Sequence, residues 1–199
     1  MADGVLPRGA LVAGRYRLEG PLGAGGMSWV FRAVDTHLDR PVADFEATLA
    51  ALTATRMKVS PHIVIGLHYG RVLGEPTALD IVSRYPVEAL VLVVVMPFYA
   101  APGLFAVPDA AEVGRIFGEA RRRLRDRQVL LGCARPPGLH KRAVDAYAVM
   151  AGLDGIAFPA DGVVSVARAI GRPFHQEHAC CSIKLGAAPV AAPSRTCAA

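Results

Sequence analysis

Lysines, aromatic residues and patterned cysteines are all scarce in this chain. Only three lysines occur (Lys58, Lys141 and Lys184), aromatic residues make up 7%, and the four cysteines (Cys133, Cys180, Cys181 and Cys197) fall into no CxxC or CxxxCxxC pattern. Without such spacing a cysteine-only metal cage is not expected. The first twenty residues lack the charged start and long apolar run of an export signal, so reduced thiols and a cytoplasmic location are expected. A net charge of +5 invites a nucleic-acid reading. However, no aromatic residue interleaves with the arginine run from Arg121 to Arg127 to stack a base, and no nucleic-acid motif accompanies it. Together with Arg115 these arginines read as one solvated helix face, and no nucleic-acid partner is expected. A long uninterrupted apolar helix is also missing. Residues 89–108 carry no charge, but Pro97, Pro102, Gly103 and Pro108 break them, and Leu90-Val91-Leu92-Val93-Val94-Val95 is β-branched. A buried strand running into a loop is expected there, not a membrane span.

What the chain does have is apolar mass: 53% hydrophobic and 20% charged residues over 199 positions, ample for a packed core. A complete eight-unit α/β barrel, at about 250 residues, does not fit. The composition shifts near Ala43 and Asp44. Before this point Gly20, Gly23, Gly25 and Gly26 are closely spaced among β-type residues; after it, apolar strand-like runs alternate with amphipathic helical stretches. The spacing predicts helices over 44–57, 76–84, 109–126, 140–151 and 161–170, and strands over 61–67, 89–96, 129–133 and 155–159. Four strand-helix units with nearly all-apolar strands imply a parallel sheet covered by helices. Three segments are therefore expected: a glycine-rich β-hairpin over 1–43, a partial α/β barrel of four parallel strand-helix units over 44–184, and a disordered Ala/Pro-rich tail over 185–199.

The stretch Leu22-Gly23-Ala24-Gly25-Gly26-Met27, followed by Val30, Phe31 and Ala33, resembles the glycine-rich loop of bacterial Ser/Thr protein kinases. The resemblance implies that Gly23, Gly25, Gly26 and Val30 would lie over ATP phosphates, glycine letting the backbone approach them without a Cβ. Ser28 replaces the third glycine of that pattern. Where the family has its phosphate-holding lysine this chain has Asp44 and Phe45, and neither an HRD nor a DFG segment follows. An inert hairpin is the competing reading.

From residue 44 onward the chain resembles the carboxy-terminal half of a radical S-adenosylmethionine (SAM) enzyme of the biotin synthase and archaeal-type lipoyl synthase group. The residues that carry this are Pro61 to Gly70 (PHIVIGLHYG), Ala89 to Pro97, Leu130-Leu131-Gly132-Cys133-Ala134-Arg135-Pro136, Gly155-Ile156-Ala157-Phe158-Pro159 and Cys180-Cys181-Ser182. The resemblance implies a SAM site across the carboxyl ends of the strands, with Val64, Gly66, His68 and Arg135 as candidate contacts to SAM or to a cluster. Cys133 and Arg135, two apart, would share a strand face and could both point into the barrel. Cys133, Cys180 and Cys181 are the candidate metal ligands. A packed small residue is the competing reading of Cys133, and an ordinary loop histidine that of His68. The CxxxCxxC loop that holds the family's [4Fe-4S] cluster is absent. The sequence therefore reads as a truncated or chimeric radical SAM-like protein, inactive alone. Its alternatives are a non-catalytic SAM- or nucleotide-binding module, a half barrel that self-associates into a homo-oligomer, and a kinase remnant.

Overall fold

The computed structural model describes residues 7–12, 16–25, 28–35, 40–41, 45–97, 103 and 105–177. Two sheets account for its strands. The first is antiparallel, in the order β1 (Leu11–Val12), β2 (Tyr16–Gly25), β3 (Ser28–Asp35), β4 (Arg40–Pro41). β2 and β3 form the hairpin expected of the glycine-rich stretch, running from Tyr16 opposite Asp35 to Gly25 opposite Ser28. The register shifts between Leu18 and Gly20 and again between Pro21 and Gly23, so the ladder is irregular where Pro21 offers no N–H.

The second sheet is parallel and strictly sequential: β5 (His62–Ile65), β6 (Ala89–Val94), β7 (Gln128–Leu131) and β8 (Gly155–Ile156). Helix α1 (Phe45–Thr53) precedes it. Helices α2 (Glu75–Ser83), α3 (Ala110–Arg123) and α4 (Leu139–Ala151) connect its strands, and α5 (Val163–Ala169) follows. A parallel neighbour can be reached only by a crossover, and a shared crossover hand places successive helices on one face. The burial agrees. Ile63, Ile65, Leu90, Leu92, Val94, Val129 and Leu131 form one core with apolar residues of α1 to α4, whereas Ala89, Val91 and Leu130 cluster separately on the opposite face. The protein is thus α/β, with a four-stranded parallel sheet. Residues 89–94 are a strand of that sheet, and no described helix is long and apolar enough to cross a membrane.

The element ends follow local chemistry. Asp109 lies outside α3 as its N-cap, its Oδ1 accepting from the N–H groups of Ala111 (2.9 Å) and Glu112 (3.0 Å). Arg121, Arg122 and Arg123 occupy the last turn of α3, where cations oppose the helix dipole. Gly152 closes α4 in the left-handed region at φ +83°. β7 and β8 are shorter than their apolar runs suggested. β7 stops at Leu131, so Cys133 and Arg135 lie beyond the strand, and alternation along it does not govern where they point.

Candidate functional site

The loops after the parallel strands gather at one end of the sheet. Among them Gly66 ends β5 at φ +82°, and its ideal Cβ would fall 2.3 Å from Pro108 Cγ. Its N–H donates to Glu75 Oε1 (2.7 Å), while Leu73 N–H donates to Oε2 (2.8 Å), so one buried carboxylate of α2 folds the 66–74 loop back onto the strand end. Gly70 approaches the next loop so closely that a Cβ would lie 2.1 Å from the Ala106 carbonyl oxygen, and Ala106 N–H donates to the Tyr69 carbonyl. Tyr69, at φ +55°, sets its ring 5.0 Å from that of Phe105 and 5.1 Å from that of His68.

After β7 and β8 the rim rests on a buried ion pair. Arg135 Nε donates to Asp145 Oδ1 (2.6 Å) and Nη2 to Oδ2 (3.1 Å), with neither side chain exposed. Arg135 Nη1 donates to the Gly132 carbonyl, and Nη2 also reaches the carbonyls of Ala157 (2.8 Å) and Phe158 (3.1 Å). Ala160 N–H closes the turn on Asp145 Oδ2 (2.7 Å). Phe158 is held at φ +46° with its ring pointing to solvent. Strained non-glycine residues persist only where their surroundings over-determine them. Here the over-determining group is the Arg135–Asp145 pair.

Between these loops a cleft of about 610 Å³ opens at the carboxyl ends of β6 and β7. Its walls include Pro97, Pro108, Pro136 and Pro137, with Asp109 and His140 as the two polar side chains among the described lining residues. His140, in the first turn of α4, lies 2.7 Å through Nε2 from the Pro108 carbonyl. An acceptor there makes Nε2 the donor, and Nδ1 is buried without a hydrogen-bond partner. Crevices outside the carboxyl ends of parallel strands are where open α/β sheets bind ligands. A second cleft, about 390 Å³, lies at the amino ends of the strands. There Arg121 pairs with Asp154 (2.5 Å), and Asp154 Oδ2 also accepts from Val129 N–H (2.8 Å).

The residues singled out from the sequence do not converge on the cleft. Val64 is half-buried on β5, and His68 is exposed. Gly66 does not leave room for a ligand, because Pro108 fills the space beside it and Glu75 takes its N–H. Arg135 does not share a face with Cys133: it is buried against Asp145 while Cys133 is exposed with a free thiol. Cys180 and Cys181 lie outside the described residues, as does Gly26. Gly23, Gly25 and Val30 lie on β2 and β3. No group of three or more His, Cys, Asp or Glu side chains that could hold a metal ion occurs among the described residues. Cys133 is the candidate ligand among the described residues, a single exposed thiol, and no chemistry is derived through an iron-sulfur cluster.

The arginine run is largely internally neutralised. Arg115 pairs with Glu119 (3.1 Å) and Arg123 with Glu119 (3.0 Å) and Asp80 (2.7 Å). The hydrogen bond that Arg123 donates to Asp80, against the opposing effect of burial, raises the Arg123 pKa above its ordinary value.

Sequence reasoning missed Asp109, His140, Pro136 and Pro137 as cleft residues, and Glu75 and Asp145 as rim supports. Two of these carried a legible signal. Asp145 stands on the buried face of α4 beside Val144, Ala148 and Val149, and an acid on an apolar helix face demands a partner. Glu75 is likewise buried in α2 with Leu79 and Val82. Comparison of the chain with family models, curated proteins and solved structures finds no match.

Proposed function

We propose that residues 45–177 are a partial α/β barrel of the radical SAM type that binds a small adenosyl ligand, SAM or a nucleotide, without catalysing its cleavage. The observation that carries this reading is the cleft at the carboxyl ends of β6 and β7, walled by prolines and bearing Asp109 and His140 among its described residues. The sequential order β5-β6-β7-β8, with helices packed on one face, supports the barrel segment. Radical chemistry is not part of the proposal, because the chain has no CxxxCxxC to hold the cluster that would cleave SAM.

Calorimetric titration of SAM into the full chain tests it. Saturable one-site binding is expected, and it should be lost in Val107→Trp, which fills the cleft from an exposed wall position. Binding that survives this substitution would move the site elsewhere; no binding of SAM, ATP or adenosine would end the proposal.

A second reading draws on the sheet itself. β5 and β8 stand at the two ends of the strand order, and an open edge is a template for another strand. Self-association of half barrels would appear as a dimer in sedimentation equilibrium, with a monomer at all concentrations removing that reading.

A further inference from the structure

We infer that the cleft between the start of α3 and the start of α4 selects an organic cation, a sulfonium or ammonium carried on an apolar body. The inference rests on the binding site proposed above and names the chemistry that site prefers.

Four of the eight described residues lining the cleft are prolines, which have flat apolar rings and no backbone N–H to donate. What the polar side chains of the cleft offer is acceptors. Asp109 uses Oδ1 to cap α3, and its carboxylate forms no ion pair among the described residues, so Oδ2 remains available at an exposed position, its charge partly offset by the amino end of α3. His140 commits its Nε2 to the Pro108 carbonyl and its Nδ1 is buried, so the side-chain acceptor exposed to a ligand among the described lining residues is Asp109. Apolar walls beside a free carboxylate suit a ligand whose positive charge adjoins hydrocarbon, since weakly hydrated organic cations lose little by leaving water for such a surface. The opposing feature is the start of α4, where Gly138 provides no side-chain cap and Lys141 adds a positive charge. Those groups would favour an anion, so the experiment includes one.

The full chain is titrated, by ligand-observed NMR and calorimetry, with four probes: SAM, its uncharged-sulfur analogue S-adenosylhomocysteine, benzyltrimethylammonium and inorganic phosphate. Benzyl alcohol serves as the neutral counterpart of the third. For a solvent-facing carboxylate the preference for each cation over its counterpart should be roughly two- to fivefold. It should shrink as salt is raised and disappear in Asp109→Asn, which retains the helix cap because asparagine caps as well as aspartate. Equal binding of charged and neutral partners, a preference that survives Asp109→Asn, or phosphate binding more tightly than either cation would overturn the inference. If benzyltrimethylammonium binds with the expected preference while SAM does not, the cation site stands and the adenosyl reading falls. If SAM and S-adenosylhomocysteine bind equally, the adenosyl reading stands and the cation site falls.

Discussion

Arg135 and Asp145 meet in a two-pronged ion pair, at 2.6 and 3.1 Å, with both side chains fully buried. The pair joins the loop after β7 to α4, and through the Ala157 and Phe158 carbonyls and the Ala160 N–H it also fixes the turn after β8. Removing one partner leaves the other charge buried and alone. Arg135→Ala or Asp145→Ala should therefore destabilise the chain by about 3–5 kcal/mol. The double substitution Arg135→Met with Asp145→Leu should recover much of that loss, because no lone buried charge remains. Urea denaturation of the four proteins checks this. Loss of ligand binding by Arg135→Ala at unchanged stability would instead mean that the guanidinium serves a ligand.

Glu75 sets the opposite side of the rim. Its carboxylate holds the N–H groups of Gly66 and Leu73, and a buried donor left without its acceptor costs about 1–3 kcal/mol. Glu75→Ala is expected to lose about 2 kcal/mol or more, with Glu75→Gln between it and the parent because one amide oxygen cannot serve both donors. Hydrogen exchange at the Gly66 and Leu73 amides should accelerate in both variants, while amides in β6 stay protected. Uniform acceleration across the sheet would mean that Glu75 supports the whole core and not the 66–74 loop.

The parallel sheet was legible because its strands are almost purely apolar. Alternation of such runs with helices whose core residues recur at helical spacing, such as Val113, Ile116, Phe117 and Ala120, leaves little choice of architecture. The candidate site was not legible in the same way. Gly66 carries the same backbone demand whether a ligand or Pro108 occupies the space beside it, and the sequence does not distinguish these cases. Arg135 and Asp145 are ten residues apart in separate elements, so their pairing exists only once α4 packs back on the sheet. A resemblance suggested a cofactor contact for Arg135; burial and hydrogen bonding give it Asp145. The cleft is formed by residues that read as loop punctuation, namely Pro97, Pro108, Pro136 and Pro137, whose contribution is shape and absent donors.

Two glycines in α3 test the packing of the helix layer, since one substitution should have opposite signs four residues apart. At Gly114 an added Cβ would lie 2.7 Å from Cγ of Tyr147 and 2.9 Å from its Cβ, so α3 approaches α4 more closely than alanine permits. At Gly118 no atom lies within 4 Å of the added Cβ. Glycine in a helix interior is less favourable than alanine by about 0.5–1 kcal/mol, and at Gly118 nothing offsets that difference. Gly118→Ala is thus expected to stabilise by about that amount. Gly114→Ala gains the same propensity but must displace the Tyr147 ring or part the helices, and overpacking of this kind costs about 1–3 kcal/mol. The net effect is destabilising. Adding Tyr147→Ala to Gly114→Ala should relieve part of the clash, because it removes Cγ and Cδ1, and denaturant melts of both single variants and the double variant measure how much. If Gly114→Ala and Gly118→Ala both stabilise, α3 and α4 are not in the close contact that defines this layer, and the cleft between their amino ends loses its walls.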